Sequence, residues 1–206
     1  MIKYLTFFCG TIGAMLFIVA SIIGGLQIDG YSFISQYISE SYATGVPNVT
    51  HLRYMYIASG ILLFLFGLTA PATFPKSSGF KIGFVLFAIF YGLGTVATGY
   101  FPCDYGCPAD SEVSLAQFIH NTAGFLVYSL VPFCLIGLGA SFRKFKKTRR
   151  LSKLSFICGI LSLVFVVFLF GNPQGAYIGL FQRIIEASIL IWTMYCSFQI
   201  LKTVKE

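Results

Sequence analysis

The chain has 206 residues, of which 57% are apolar and only 10% are charged, with 14 Lys and Arg against 7 Asp and Glu. A soluble globular protein carries about 25% charged residues, so this composition excludes a soluble enzyme, a disordered chain and a nucleic-acid-binding protein. The formal net charge of +7 therefore needs another explanation, which the positions of the basic residues supply.

Six segments of the chain can cross a lipid bilayer. Five uncharged stretches run for 22 to 30 residues between consecutive charged side chains, and a helix needs roughly 20 apolar residues to span the hydrocarbon. The last stretch, residues 187–201, is long enough only if Arg183 and Glu186 lie inside the span. We predict one all-α integral membrane domain over residues 1–206, a bundle of six transmembrane helices at 4–27, 54–74, 82–101, 115–142, 154–171 and 178–201.

The basic residues predict the orientation of this bundle. With six spans, 12 of the 14 Lys and Arg fall on one side, many of them between Arg143 and Lys153, and only Arg53 and Arg183 fall elsewhere. The positive-inside rule then predicts a multi-pass protein of the cell membrane with both termini in the cytoplasm. The basic run is typical of a topology anchor, and specific binding of an acidic partner or lipid is the alternative.

The outer connections collect the unusual residues. Between Ser32 and Glu40, apolar residues alternate with hydroxyl and amide side chains, which predicts a short interfacial helix at the mouth of the bundle. The second connection contains Cys103 and Cys107 on the oxidising side of the membrane, and we predict a disulfide between them. A redox-active or metal-binding pair is the alternative for these two cysteines.

Titratable side chains are also expected at one depth in the outer half of the bundle. His120 lies about one and a half turns into the fourth span, and Arg183 and Glu186 lie two to three turns into the sixth. Such groups need a partner or water inside a membrane, so they either join helices or line a pocket. We predict an outward-opening pocket between the third, fourth and sixth spans. Its predicted ligand-binding residues are Arg183, Glu186, His120, Asp104, Ser35 and Glu40.

The same residues carry a family resemblance along nearly the whole chain, from about residue 5 to residue 200. Serines and a carboxylate follow the first span, Phe-Pro-x-Asp follows the third, a histidine opens the fourth and Gly-Leu-x-x-Arg opens the sixth. The matching residues are Ser35, Ser39, Glu40, Phe101, Pro102, Asp104, His120, Gly179, Leu180 and Arg183. This pattern resembles the bacterial and archaeal membrane proteins of domain-of-unknown-function family 998. The resemblance implies an acidic residue before Arg183, where this chain has Gln182 and carries Glu186 one turn later.

Three classes of function remain open at the level of sequence. In the first, the pocket binds or moves a small anionic or amphiphilic ligand such as a lipid headgroup, with Arg183 and His120 facing the anion. In the second, the protein is a membrane-embedded hydrolase or transferase: Asp104 orients His120 as a general base, Arg183 stabilises an oxyanion, and Ser35 or Ser39 is the nucleophile. In the third, it is a non-enzymatic accessory or sensor protein.

No cofactor is predicted. A catalytic zinc usually takes three protein ligands that are often histidines, and the chain has only His51 and His120, which disfavours zinc. A bis-histidine haem is disfavoured because these two residues are expected at different levels of the bundle. The expected partners are the lipid bilayer and a lipid or small anionic ligand, without nucleic acid; the sequence does not indicate an oligomeric state.

Overall fold

The computed structural model describes residues 1–108 and 113–202. Asp110 and Glu112 of the second outer connection, and Lys205 of the predicted cytoplasmic set, lie outside these residues. The described part of the chain contains helices and no strand. The α-helices are α1 (Ile2–Leu26), α2 (Thr50–Thr69), α3 (Ser78–Phe87), α4 (Gly94–Tyr100), α5 (Leu115–Arg143), α6 (Arg149–Gly171) and α7 (Ile178–Lys202).

Among the described residues, six helical segments are long and apolar enough to cross a membrane, which confirms the predicted multi-pass, all-α architecture. They are Ile2–Leu26, Thr50–Thr73, Ser78–Tyr100, Leu115–Arg143, Lys146–Gly171 and Ile178–Lys202. The second, third and fifth spans begin four to eight residues before the predicted positions, because the sequence count stopped at the charged residues Arg53, Lys81 and Lys153. Helical backbone continues past such residues, whose long side chains can reach water from the end of a span.

The beginning of α1 and the end of α7 lie at the same end of the bundle, as six antiparallel crossings require. α1 packs along α7, with the rings of Phe7 and Phe198 5.2 Å apart. We call the end where α1 begins and α7 ends the inner end, and the opposite end the outer end. Aromatic side chains fill the core toward the inner end: the fully buried Phe84 contacts Phe66, Phe74, Phe142 and Trp192 at centroid distances of 5.8 to 6.1 Å.

The third span changes its helical pitch midway. Residues Ala88–Leu93 form a π-helical segment between α3 and α4, where α2 approaches closely. A Cβ on Gly92 would lie 2.6 Å from Phe64 Cα, and one on Gly60 would lie 2.7 Å from Gly92 O. Glycines at such crossings let membrane helices approach backbone to backbone. Single π-helical turns are often found at functional sites, and this one carries Tyr91.

The first outer loop is inserted into the outer end of the bundle. The sequence predicts a short helix between Ser32 and Glu40; the structure has a 3₁₀ helix further along the loop, at Ile38–Tyr42, and its residues Ile38, Ser39, Ser41 and Tyr42 are buried. The second outer loop lies against it, with Thr44 N–H donating to Cys103 O at 2.8 Å. The sulfur atoms of Cys103 and Cys107 are at bonding distance and their Cα atoms are 5.1 Å apart, which agrees with the predicted disulfide.

Candidate functional site

Gln182 joins the first outer loop to α7. Its Oε1 accepts a hydrogen bond from Ile38 N–H at 2.6 Å, and Leu180 N–H donates to Ile34 O at 2.9 Å. The side chain of Gln182 therefore satisfies a buried backbone donor of the loop, a role that a carboxylate could also fill. Sequence reasoning noted Gln182 only as a departure from the family pattern and missed this function.

The two basic residues of the outer half hold the same loop. Arg183 donates to Gln36 O at 2.9 Å, to Gly179 O at 3.0 Å and to the Tyr31 hydroxyl at 2.6 Å, and its guanidinium lies 4.9 Å from the Phe33 ring centroid. Arg53 donates to the carbonyls of Tyr42 and Ala43, both at 3.0 Å. Each guanidinium group therefore donates several hydrogen bonds, and these bonds fix the backbone of the first outer loop.

Glu186 is bonded by tyrosine hydroxyls. Its Oε2 accepts from Tyr91 at 2.7 Å and its Oε1 accepts from Tyr128 at 2.9 Å. Gln182 Nε2 donates in turn to the Tyr128 hydroxyl at 2.9 Å. Glu186 is 6% exposed, and three spans therefore converge on one buried carboxyl. Arg183 and Glu186 lie one turn apart and could have formed an ion pair. Instead, Arg183 bonds to the first outer loop and to Gly179, and Glu186 bonds to the two tyrosines.

His120 and Asp104 also have separate partners. His120 Nδ1 lies 2.9 Å from Phe101 O, and because a carbonyl oxygen only accepts, Nδ1 is the protonated nitrogen. The Asp104 carboxylate accepts from Ser114 N–H at 2.9 Å and from the Ser114 hydroxyl at 2.7 Å. These hydrogen bonds lower the pKa of Asp104 below its ordinary value of 3.8. Asp104 thus fixes the start of α5, while Phe101 orients His120.

The two site residues predicted in the first outer loop differ in position. Ser35 is exposed, and its backbone N–H donates to Ser32 Oγ at 3.2 Å. Glu40 is half-buried and accepts from Tyr37 N–H at 2.7 Å and from Gln36 Nε2 at 2.9 Å. Burial and then the nearby Glu40 carboxylate raise the pKa of Tyr37.

Two adjoining cavities occupy the outer half. The outer cavity measures about 480 Å³ and lies between α5, the outer ends of α6 and α7, and both outer loops. The inner chamber measures about 50 Å³, which is room for water. Five residues line both spaces and thus form the wall between them: Ser39, His120, Gly124, Tyr128 and Gln182.

The structure brings only some of the predicted residues to these cavities. Glu40, Cys107 and His120 line the outer cavity, and His120 and Glu186 line the inner chamber, together with Thr95 and Thr98 of α4. Arg183, Asp104 and Ser35 are absent from both linings. The ligand-binding and catalytic roles of all these residues stay predictions. Within residues 1–108 and 113–202, no three His, Cys, Asp or Glu residues are grouped as a metal site.

The chain matches the family described as "Protein of unknown function (DUF998)" over residues 11–198. Neither a curated protein nor a solved structure matches it. The match reaches into all six spans and includes the loop-anchoring residues Gln182 and Arg183 and the cavity residues Glu40 and His120. The chain therefore belongs to the DUF998 family.

Proposed function

We propose that this protein binds an amphiphilic ligand, such as a lipid, in the outer cavity of a six-helix bundle in the cell membrane. The positive-inside rule supports an orientation in which the inner end and both termini face the cytoplasm, so that the cavity opens on the outer side. The observation that carries the proposal is the division of the cavity wall into a polar part and an apolar part.

The polar part of the wall lies at the outer loops and the first two turns of α5. It includes the side chains of Glu40, Asn121 and Gln174 together with Ser39 and His120. The apolar part comes from the helices, through Phe125, Leu169, Phe170 and Ile178. A ligand that satisfies both parts has a polar head and an apolar tail, because a wholly polar ligand would leave the aromatic wall uncovered.

The apolar part also opens toward the surface that faces lipid. Phe125 is 56% exposed and Phe170 is 42% exposed, with their rings 5.4 Å apart. Phe125 lies ten residues into α5, or about 15 Å from its outer end, which is within the hydrocarbon layer. A chain in the cavity would therefore be continuous with the acyl chains of the bilayer.

Binding has more support in the structure than movement of the ligand across the membrane. Thr193 and Ser197, which could have continued a polar path along α7, are fully buried and donate to Ile189 O and Thr193 O of their own helix. Neither residue lines the two cavities. An anionic ligand head is expected from the sequence because Arg183 could pair with it. That expectation loses its main support, because the guanidinium faces the first outer loop.

Photolabelling tests the proposal directly. The purified protein in maltoside micelles is labelled with hexadecylphosphocholine that carries a diazirine in its chain, and the labelled residues are mapped by mass spectrometry. We expect saturable labelling near Phe125 and Phe170 that excess unlabelled hexadecylphosphocholine removes. Labelling that is non-saturable at every site would contradict a bound amphiphile.

Two glycines of α5 provide a matched pair of variants. Gly124 lines both cavities and Gly137 lies 13 residues further along the helix, and a Cβ on either meets no atom within 4 Å. Both substitutions to Leu also improve helix propensity by up to about 1 kcal/mol, so the fold should tolerate them. Gly124→Leu should remove the saturable labelling and Gly137→Leu should retain it.

An enzymatic function is a second candidate because Ser39 and His120 share the wall between the cavities. With Nδ1 holding the proton, a neutral His120 ring offers Nε2 as a proton acceptor, and Ser39 supplies a hydroxyl. A fluorophosphonate probe tests this candidate. Covalent labelling of Ser39 that is lost in His120→Ala would support a nucleophilic serine, and an unlabelled Ser39 would remove this function.

A further inference from the structure

The described walls of the two cavities contain carboxyl groups and no Lys or Arg. Glu40 lines the outer cavity and Glu186 lines the inner chamber, and His120 is the one basic side chain in either described wall. Asp104 belongs to the same loop as Gly106 and Pro108, which line the outer cavity. An anionic head placed here would lie beside carboxylates without a cation to pair with it.

The basic residues that could have offset this charge are committed elsewhere. Arg183 makes three hydrogen bonds to the first outer loop and α7, and Arg53 makes two to the same loop. Exchanging these bonds for a ligand would leave buried loop carbonyls without donors. The charge of the cavity is therefore set by its carboxylates.

Aromatic rings complete the surroundings of the head position. Tyr37 and Tyr128 line the outer cavity, and Phe17, Tyr42 and Tyr128 line the inner chamber. The faces of such rings attract cations, most strongly where water is excluded. In the outer cavity, Glu40, Tyr37 and Tyr128 place a carboxylate and aromatic rings around one space, the combination that recognises alkylammonium groups.

On the basis of the proposed amphiphile site, we infer that its ligand carries a positively charged, ammonium-type head held beside Glu40 in the outer cavity. The head enters from the loop side, and its alkyl chain leaves between Phe125 and Phe170. A sulfate or phosphate monoester in place of the amine would put its negative charge beside the Glu40 carboxylate. Zwitterionic heads fit only if their ammonium is the deeper group.

Competition against the diazirine probe distinguishes ligands by the charge of their head groups. Hexadecylammonium chloride, sodium hexadecyl sulfate and hexadecyl maltoside are added at low mole fraction to the labelled maltoside sample. We expect hexadecylammonium to compete at a concentration at least about tenfold below the other two. Sulfate competing as well as or better than ammonium would overturn the ammonium inference and leave the amphiphile site intact, whereas the complete absence of saturable labelling would overturn the site itself.

An isosteric variant tests the carboxylate. Glu40→Gln removes charge while keeping an acceptor oxygen and is expected to reduce the ammonium preference about tenfold. Asp29→Asn is the matched control, because this exposed carboxylate lies in the first outer loop and outside both linings. A thermal unfolding midpoint close to that of the parent protein shows that a variant is folded. An unchanged preference in Glu40→Gln, or an equal loss in Asp29→Asn, would contradict the inference.

Discussion

The inner and outer halves of the bundle differ in how their spans are joined. In the inner half, aromatic rings surround Phe84 in edge-to-face, stacked and tilted contacts, and the core is closed by dispersion contacts and ring packing. In the outer half, Gln182, Arg183 and Glu186 join helices and loop through hydrogen bonds. Hydrogen bonds fix donors and acceptors at set distances and angles, so side chains joined in this way can leave space between them.

This difference places a preformed cavity where the polar residues are. The groups around the cavity are already paired with one another, so their positions do not depend on a ligand to satisfy them. A site of this kind loses little conformational freedom on binding, which favours affinity. The inner half forms the rigid support, and the outer half contains the polar side chains that line the cavities.

The largest expected effect comes from truncating the inner aromatic core. Phe84→Ala removes a ring that is fully buried among four others and should lower the free energy of unfolding by about 3–5 kcal/mol. Phe125→Ala, whose ring is 56% exposed, is the matched variant and should cost far less while weakening probe labelling. Equal losses of thermal stability in the two variants would contradict the division of the bundle into a rigid inner half and a ligand-binding outer half.

Releasing the first outer loop should have the next largest effect. Arg183→Gln removes three hydrogen bonds from a charged donor and should cost about 2–3 kcal/mol. Arg183→Lys should fail to restore stability, because a single ammonium cannot reproduce the forked guanidinium contacts. Limited proteolysis between Tyr31 and Tyr42 measures the release. A lysine variant as resistant to cleavage as the parent protein would show that charge alone holds the loop.

Two substitutions of the buried Glu186 should differ in stability by a smaller amount. Glu186→Ala leaves the hydroxyls of Tyr91 and Tyr128 without their acceptor, whereas Glu186→Gln keeps one oxygen in place. We expect the alanine variant to be about 1–2 kcal/mol less stable than the glutamine variant. Thermal unfolding in maltoside gives the comparison, and equal stability would mean that the tyrosines find other acceptors.

The smallest expected effect is a pH dependence at the start of α5. Because the folded-state pKa of Asp104 is lowered by Ser114, its stabilising contribution is present above its ordinary pKa of 3.8. That contribution is lost as the pH falls through the lower folded-state value. The thermal midpoint of the parent protein should therefore approach that of Asp104→Asn as the pH is reduced from about 6 to about 3. A constant difference between the two midpoints would exclude this source of stability.

Several site residues could be located from sequence, but not their partners. His120 and Glu186 stood out because titratable side chains are costly inside a span, and both line the cavities. Arg183 stood out for the same reason, yet it faces the first outer loop. The direction that a charged side chain faces depends on the positions of the loop carbonyls in the folded protein. The spacing of residues along a helix does not contain that information.

The sequence by itself determined the six spans, because bilayer thickness and the cost of charge in hydrocarbon act on each segment separately. It also determined the spacing of Cys103 and Cys107. The tertiary structure alone decided that the first outer loop enters the bundle, that Gln182 and Arg183 anchor it, and that Tyr91 reaches Glu186 from a π-helical segment. These features arise from pairings between residues more than 90 positions apart, which no local pattern encodes. They are also the features that shape the walls of the two cavities.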